Sequence, residues 1–484
     1  MQNSKQKKWD QTVFIIAGIL ISIYVVLRAL CLGITDDEAW SYYNAKKFWY
    51  VETLCTGNTH WFNFVAIKMM VLLGLEKVWQ LRWLSIISAF VFIYIGIVWI
   101  RSIKSNWIKL FAFAFLFLNH YLLEYFSLAR GYTMALALMA LSLLFLVKAF
   151  NGDKERKFIV LSLVMAGLSA IANFNFFYYF TAFCCLYFYS FYFKNGFIFL
   201  RDKYFYQDAF YAGGISLVVI NALLFITECS NDIAGFGGTK FVDSIFGGYI
   251  ERTFSTEIHF GNGSLTILSY LFLCVLMLGL YIGVAMYKKH GSKLYFFSSI
   301  ILLLMLVLTF LTKNFFHVLY PIHRTALMFI PLFAIILVEF INGLRLQLIK
   351  KIAISIFFIF CLINFLLNFN FNSTTDYQQQ IDAKSIYNLL NETGATKVGI
   401  CPELYVVYLK YYSFQYPALK GEMINTMIPR PKQVKKSNNH LAAFDYLILF
   451  PPYNLKEYSM DKVTLQGMVL YPETNALVVK VIKQ

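Results

Sequence analysis

From Thr12 to Phe369 the sequence returns repeatedly to apolar stretches of about twenty residues, each long enough to cross a hydrocarbon core, and then the pattern stops. Only 14% of the 484 residues are charged and 59% are hydrophobic. Soluble domains carry about a quarter charged residues, so water is not the main solvent of this chain. The first stretch, Thr12 to Leu32, follows a basic start at Lys5, Lys7 and Lys8, lacks a small-residue cleavage site and runs straight into an acidic cluster. That is the pattern of a retained helix rather than a removed leader.

Lysine and arginine outnumber aspartate and glutamate by 42 to 26. In a soluble protein such an excess raises the question of nucleic acid, but here topology explains it. With the N-terminus in the cytoplasm, every second connection is basic: Arg101, Lys104 and Lys109; Lys148, Lys154, Arg156 and Lys157; Lys194, Arg201 and Lys203; Lys288, Lys289 and Lys293; Arg345, Lys350 and Lys351. No nucleic acid is expected as a partner; the lipid bilayer is. The same constraint allows one crossing between the outer acidic loop and Arg101, so Leu81 to Ile100 spans the membrane. The shorter Trp61 to Gly74, which carries Asn63 and Lys68, lies along the membrane or re-enters it. Further crossings fall near 108–124, 130–148, 158–174, 176–193, 207–227, 265–287, 294–312, 323–342 and 352–370. The expectation is an α-helical, multi-pass protein of the plasma (inner) membrane with about eleven transmembrane helices.

An odd number of crossings puts the C-terminus outside the cell. The transmembrane part is expected over residues 1–371, with external loops at 33–60 and 228–264, and a small extracytoplasmic α/β domain over 372–484. In the latter, a helix is predicted over Ile381 to Leu390, a strand over Lys397 to Cys401 and a helix near Leu404 to Tyr412. Strands follow at Tyr446 to Phe450, Val463 to Leu465 and Ala476 to Ile482. No phosphate loop or nucleophile–base pair is legible there, so the domain reads as an acceptor dock, a lid or a passive cap. The 228–264 loop, with Gly237-Gly238 and Gly247-Gly248, reads as a mobile cover or a plain linker. The eight cysteines show neither metal-ligand spacing nor a disulfide framework.

Ionisable groups at membrane depth are costly, so clusters near helix ends need a reason. Three stand at external ends. The first is Asp36-Asp37-Glu38, directly after the first helix. Three adjacent carboxylates beside a membrane can supply a general base or hold a divalent cation; they can also simply favour the start of the next helix. The second holds Glu124, Arg130 and Tyr132, where Arg130 either pairs with Glu124 or binds a phosphate with its planar fork. The third holds Lys313, His317, Tyr320, His323 and Arg324, either an anion site or cations reaching to lipid headgroups. His60 opens the short apolar helix on the same side. Carboxylates at one outer end and arginines at two others describe a base and an anionic leaving group across one membrane-level cavity, the layout of a transferase.

In this order the pieces resemble the GT-C superfamily of membrane glycosyltransferases, of the protein O-mannosyltransferase and aminoarabinose-transferase type (family 39-like). The matching residues are Asp37-Glu38-Ala39; His60; Leu81-Arg82-Trp83-Leu84-Ser85; Leu128-Ala129-Arg130-Gly131-Tyr132; and Tyr320-Pro321 with Arg324 and Pro331. They cover roughly residues 10 to 345. Trp61 and Phe62 depart from the pattern, since the family often has two prolines after the histidine. The resemblance implies an inverting transfer of a sugar from a polyprenyl-phosphate carrier to an acceptor hydroxyl on a glycan, lipid or protein at the outer face. It implies Asp37 as general base, assisted by Glu38 or Asp36, and Arg130 and Arg324, with His323 and Lys313, on the donor phosphate. His60, Tyr132, Glu124 and Tyr320 would line the substrate cavity. The residues fix no cofactor; if a divalent cation is used, Asp36, Asp37 and Glu38 are the ligands available. A flippase or transporter of lipid-linked sugars, or a polymerase or ligase of lipid-linked glycans, is the alternative. No internal repeat of the kind common in transporters is found.

Overall fold

The computed structural model describes residues 2–47, 60–150, 155–193, 202–229, 237–254, 262–285, 292–345 and 347–376, and beyond these 380–395, 398–401, 408, 411–412, 426–427, 445–449, 463–471 and 474–483. The chain forms two compact units. One comprises Met1–Ala29, Tyr50–Ala66 and Arg82–Phe369, and the other Leu30–Trp49, Ile67–Leu81 and Asn370–Gln484.

The first unit is helical. Its elements are α1 (Gln2–Cys31), the start of α3 (Trp61–Leu72), α5 (Trp83–Ser102), α6 (Asn106–Phe117), α7 (His120–Phe126), α8 (Gly131–Phe150), α9 (Arg156–Ala172), α10 (Phe177–Phe191) and α11 (Lys203–Cys229). Then come α12 (Gly248–Phe254), α13 (Asn262–Ala285), α14 (Lys293–Phe316), α15 (Ile330–Gly343) and α16 (Gln347–Leu367). Helices stand at all eleven positions read from the sequence. Among the described residues, however, seven are long and apolar enough to cross a membrane, or eight if the bent pair α6 and α7 makes one span. By that measure the described residues supply seven or eight of the eleven expected crossings. With 17 and 15 residues, α9 and α10 are shorter than the roughly 20 a straight crossing needs. At 27 residues α11 is long enough, and after Lys203, Gln207 and Asp208 it carries no charged residue from Ala209 to Thr227.

The stretch expected to cross at 108–124 is two helices meeting at 55°. Asn119 makes the break, because its side-chain oxygen accepts a hydrogen bond from the Leu122 amide at 3.0 Å and so starts a new helix. From Phe111 to Phe117 every residue of α6 is buried. A helix apolar on all sides belongs in the middle of a bundle, and α6 packs against both α15 and α16. Around the other side α8 packs on α5 and α9.

One carboxylate at the start of α11 joins three helices. Asp208, fully buried, accepts from both terminal nitrogens of Arg156 on α9, from the Tyr187 hydroxyl on α10 at 2.7 Å and from the Tyr192 hydroxyl just beyond it. Tyr204 stacks on the guanidinium at 4.6 Å. A bidentate pair with two further donors leaves the buried acid fully satisfied.

The long 228–264 loop, read as a mobile cover or a linker, is folded where it is described. Gly238 exchanges two backbone hydrogen bonds of 2.9 Å with Tyr320, and a π-helical turn (Asp243–Gly247) leads into α12. Residues 230–236 and 255–261 lie outside the described residues.

In the second unit, α2 (Asp36–Lys47), the end of α3 and the short α4 (Val78–Leu81) join α17 (Gln380–Glu392) and a five-stranded sheet. The strands are β1 (Val398–Cys401), β2 (Thr426–Met427), β3 (Tyr446–Leu449), β4 (Val463–Tyr471) and β5 (Ala476–Lys483), in the order β2-β1-β3-β5-β4. β1 runs parallel to β2 and β3, whereas β5 is antiparallel to β3 and β4. The sequence missed β2, and the helix expected near Leu404 to Tyr412 falls largely outside the described residues. Asp382 ties α17 to the β4–β5 turn by accepting from the Thr474 amide at 3.0 Å and hydroxyl at 2.6 Å. Tyr411 packs edge-on against Tyr42 of α2 at 5.0 Å and donates to the Glu76 carbonyl at 3.2 Å. The Glu76 carboxylate takes the Tyr42 hydroxyl and the Lys46 ammonium. The acidic segment after the first helix is thus held by the C-terminal residues.

Replacing Asp208 by alanine should strip the Arg156 guanidinium and two phenols of their acceptor and destabilise the bundle by about 3 kcal/mol. Thermal unfolding of the purified protein in detergent checks this, and Asp208→Asn, which still accepts from the tyrosines, should lose less.

Candidate functional site

Thr35 caps α2, and the cap engages one of the three acids. The Glu38 carboxylate accepts from the Thr35 amide at 3.0 Å and hydroxyl at 3.1 Å, while the Glu38 amide donates back to the Thr35 hydroxyl oxygen at 3.3 Å. This Thr-x-x-Glu arrangement is a capping box. Glu38 is 1% exposed, and these bonds tie it to the start of the helix. Asp36 accepts from the Asp37 amide at 2.7 Å. Asp37 itself is buried, at 8% exposure, in the first turn of α2. Among the described residues no three His, Cys, Asp or Glu side chains converge as metal ligands.

In the helical unit, His60, Glu124, Arg130 and Tyr132 come together at one end of the bundle. Between α7 and α8 the chain turns tightly: the Arg130 amide donates to the Leu128 carbonyl at 2.8 Å, and the Thr133 hydroxyl to the Tyr125 carbonyl at 2.7 Å. Asn63 reaches the Ala129 carbonyl at 2.5 Å, and Ser85 the Arg130 carbonyl at 3.4 Å. These bonds fix the backbone that carries Arg130, whose side chain is 1% exposed. The Tyr132 ring stands edge-on to both His60, at 5.0 Å, and Tyr125, at 5.1 Å. Gly131 lies between α9 and His60, where a Cβ would sit 2.2 Å from the Ala172 carbonyl oxygen and 2.7 Å from the His60 Cβ. No side chain fits there, so the glycine sets how closely His60 approaches the turn.

Glu124 has a partner on another helix that the sequence did not single out. Its carboxylate meets the Arg28 guanidinium of α1 at 3.2 Å, with His120 Nδ1 at 3.7 Å. Arg28 and Arg82 are fully buried, and Arg82 donates to the Ala29 carbonyl at 3.0 Å near the end of α1. Sequence reasoning passed over Arg28 as a site residue. The signal was present, since a lone arginine inside an apolar span calls for a partner or a role.

The third cluster divides. Tyr320 is buried and fixed by its bridge to Gly238, with its ring edge-on to Phe241 at 5.3 Å. His317 ends α14 in the left-handed region (φ 57°), and its amide donates to the Lys313 carbonyl at 3.1 Å. His323 is also left-handed (φ 49°), a strained conformation for a residue with a side chain. Its Nε2 lies 3.4 Å from a Glu251 carboxylate oxygen of α12. The hydrogen bond with His323 holds the Glu251 carboxyl below the usual carboxylate range. His323, read as a cation for phosphate, therefore has an acid partner that the sequence did not single out. Arg324 follows it at the start of the 3₁₀ turn His323–Phe329.

The arginine turn and this cluster meet around the end of α9. Ala172 touches Gly131, and the next turn, Phe174–Phe176, packs on the 3₁₀ segment of His323 and Arg324, with the Phe174 ring edge-on to Trp61 at 5.4 Å. Asn119 and Asn364 tie α7 and α16 to Thr253 of α12, at 3.3 Å and 2.7 Å.

No family model matches the chain, and no curated protein matches it either. Solved structures do. ArnT from Cupriavidus metallidurans in the apo state aligns over 97% of this chain and 98% of its own, with 10% sequence identity and a TM-score of 0.55. The same protein bound to undecaprenyl phosphate aligns over 97% of both chains, with 11% identity and a TM-score of 0.51. The archaeal oligosaccharyltransferase AglB from Archaeoglobus fulgidus, in complex with an inhibitory peptide and a dolichol-phosphate, covers 92% of this chain and 70% of its own, with 12% identity and a TM-score of 0.49. At such identities the likeness is one of fold: the chain is a multi-pass membrane protein with a GT-C-like fold, shared with ArnT along nearly its whole length.

Proposed function

We propose that the protein is an inverting glycosyltransferase that moves a sugar from a polyprenyl-phosphate carrier to an acceptor hydroxyl at the outer face of the membrane. The observation that carries the reading is Arg130, a buried guanidinium on a rigid turn beside His60 and Tyr132, in a fold shared with an ArnT solved with undecaprenyl phosphate. Arginine keeps its charge at any working pH and presents a planar fork suited to a phosphate.

In this reading the Asp37 carboxylate takes the proton of the acceptor hydroxyl as its oxygen forms a bond to the anomeric carbon. The bond from that carbon to the phosphate oxygen breaks on the opposite face, inverting the configuration. The electron pair leaves with the lipid phosphate, and Arg130 and Arg324 stabilise the charge that develops there. Lys313 adds positive charge to that end. His323, its ring oriented by Glu251, serves the same phosphate, while Asp36 and Glu38 assist Asp37 on the first turn of α2. The C-terminal unit supports the acidic segment through Tyr411 and serves as its platform.

Asp37→Asn should lower transfer by about 10²–10⁴-fold, the range lost with a general base. Mass spectrometry of polyprenyl-phosphate lipids should then show a sugar-charged monophosphate carrier accumulating in cells with the variant and not with the wild type. Unchanged lipids at normal expression would overturn the reading in favour of transport or polymerisation. Glu38→Gln, which preserves the capping box, should keep activity within about tenfold of wild type, while Glu38→Ala should lose about 1 kcal/mol of stability. Arg130→Gln should cost about 10²–10³-fold in rate. Arg130→Lys should not restore it, because an ammonium cannot reproduce the fork.

A further inference from the structure

An apolar slot of about 330 Å³ runs between α5, α6, α8, α14 and α15, away from the Arg130 turn. Phe92, Gly96, Trp99, Val147, Leu294 and Ile335 are among the residues that line it. On α5 and α8 the lining begins near mid-helix and continues to the basic end, where α5 turns into α6. Its volume lies at the low end for ligand pockets.

The lining selects the occupant. Apart from the Trp99 indole, Ser102 is the one polar side chain in it, and that hydroxyl already donates to the Trp99 carbonyl at 2.6 Å. A sugar, a nucleotide or a peptide would find no partners for its polar groups, and burying them unpaired is costly. A hydrocarbon chain loses nothing there. The slot is reached from the protein surface along α5, where lining Val98 is 39% exposed.

The mouth adds charge. At the basic end Arg101 adjoins the lining residue Ser102, Lys148 follows Val147, and Lys293 precedes Leu294, with Lys104 in the same turn as Arg101. The Arg101 Nε is shielded from solvent and has no hydrogen-bond partner. Lys148 and Lys104 are exposed, whereas the Lys293 ammonium is held by the Phe150 carbonyl. The one acid nearby on the lining helices, Glu339, lies one turn beyond Ile335 and accepts from Ser292 at 3.4 Å. A hydrocarbon slot that opens beside arginine and lysine is complementary to a lipid with an apolar tail and a negative head.

We propose that this slot is a binding site for an anionic phospholipid of the leaflet facing the basic end, with one acyl chain in the slot and the headgroup phosphate at Arg101 and Lys104. The site is separate from the arginine turn and does not depend on the transferase reading.

Native mass spectrometry of the purified full-length protein, incubated in mild detergent with equal amounts of dioleoyl phosphatidylglycerol and dioleoyl phosphatidylcholine, tests it. The wild type should retain the glycerol lipid in preference to the choline lipid by about tenfold, and the double variant Arg101→Gln, Lys104→Gln should lose most of that preference. Ala140→Phe and, separately, Val147→Phe fill the slot and should abolish retention of the tightly held lipid. Equal retention of the two lipids by the wild type would overturn the proposal. So would undiminished retention by either Phe variant that unfolds at the wild-type temperature, since the lipid would then sit on the outer surface. The charge variants leave the packing untouched and keep the test sound if both Phe variants misfold.

Discussion

A charge withdrawn from water must be met by another charge, and in this bundle the Arg28–Glu124 pair at 3.2 Å fixes how the first helix joins the rest. Both side chains are essentially inaccessible, so losing either would strand its partner in a low-dielectric interior at a cost of about 3–5 kcal/mol. The pair joins α1 to α7. Arg82, hydrogen-bonded to the Ala29 carbonyl, secures the end of α1 to the start of α5. Two buried guanidiniums therefore hold the last turn of the helix from which the Thr35 cap and the acidic residues follow.

The same end of the bundle is organised by close approach. Gly131 permits the Ala172 carbonyl and His60 to come together, Asn63 and Ser85 hold the carbonyls on either side, and the Phe174–Phe176 turn carries the contact on to His323 and Arg324. Each of these contacts is made by residues far apart in sequence. The strained His323 backbone and the π-helical turn at Asp243–Gly247 lie in the segments that converge there, where irregular backbone tends to accompany function.

Much of the fold was legible because its cause is periodic. Apolar stretches of membrane length announced a helix at each expected position, and alternating apolar residues announced four of the five strands. What the pattern could not carry were side-chain events. Asn119 breaks a continuous apolar run with a single hydrogen bond, and α9 and α10 stop short of full span length. At the candidate site, Arg130, His60 and Tyr132 were legible as a group through a known order of motifs. Arg28 as a partner of Glu124 was missed because it is 96 residues away. The acidic run read either as a base or as the start of a helix, and Glu38 makes that start through Thr35. Glu251 lay unremarked in a loop of mixed charges, since nothing local points to a histidine 72 residues on.

The helices also differ in what they face. The outward side of α16 is a stripe of exposed Leu348, Ile352, Ile356, Ile359 and Ile363, whereas α7 is buried along its whole length. A bilayer that thickens or thins acts on surfaces it can wet, through tilt and local lipid deformation. The mechanical load of a changing membrane therefore falls on peripheral helices such as α16, while the bent, enclosed α7, with Glu124 on it, is shielded. A protein so arranged can experience membranes of different thickness without its buried charges changing register.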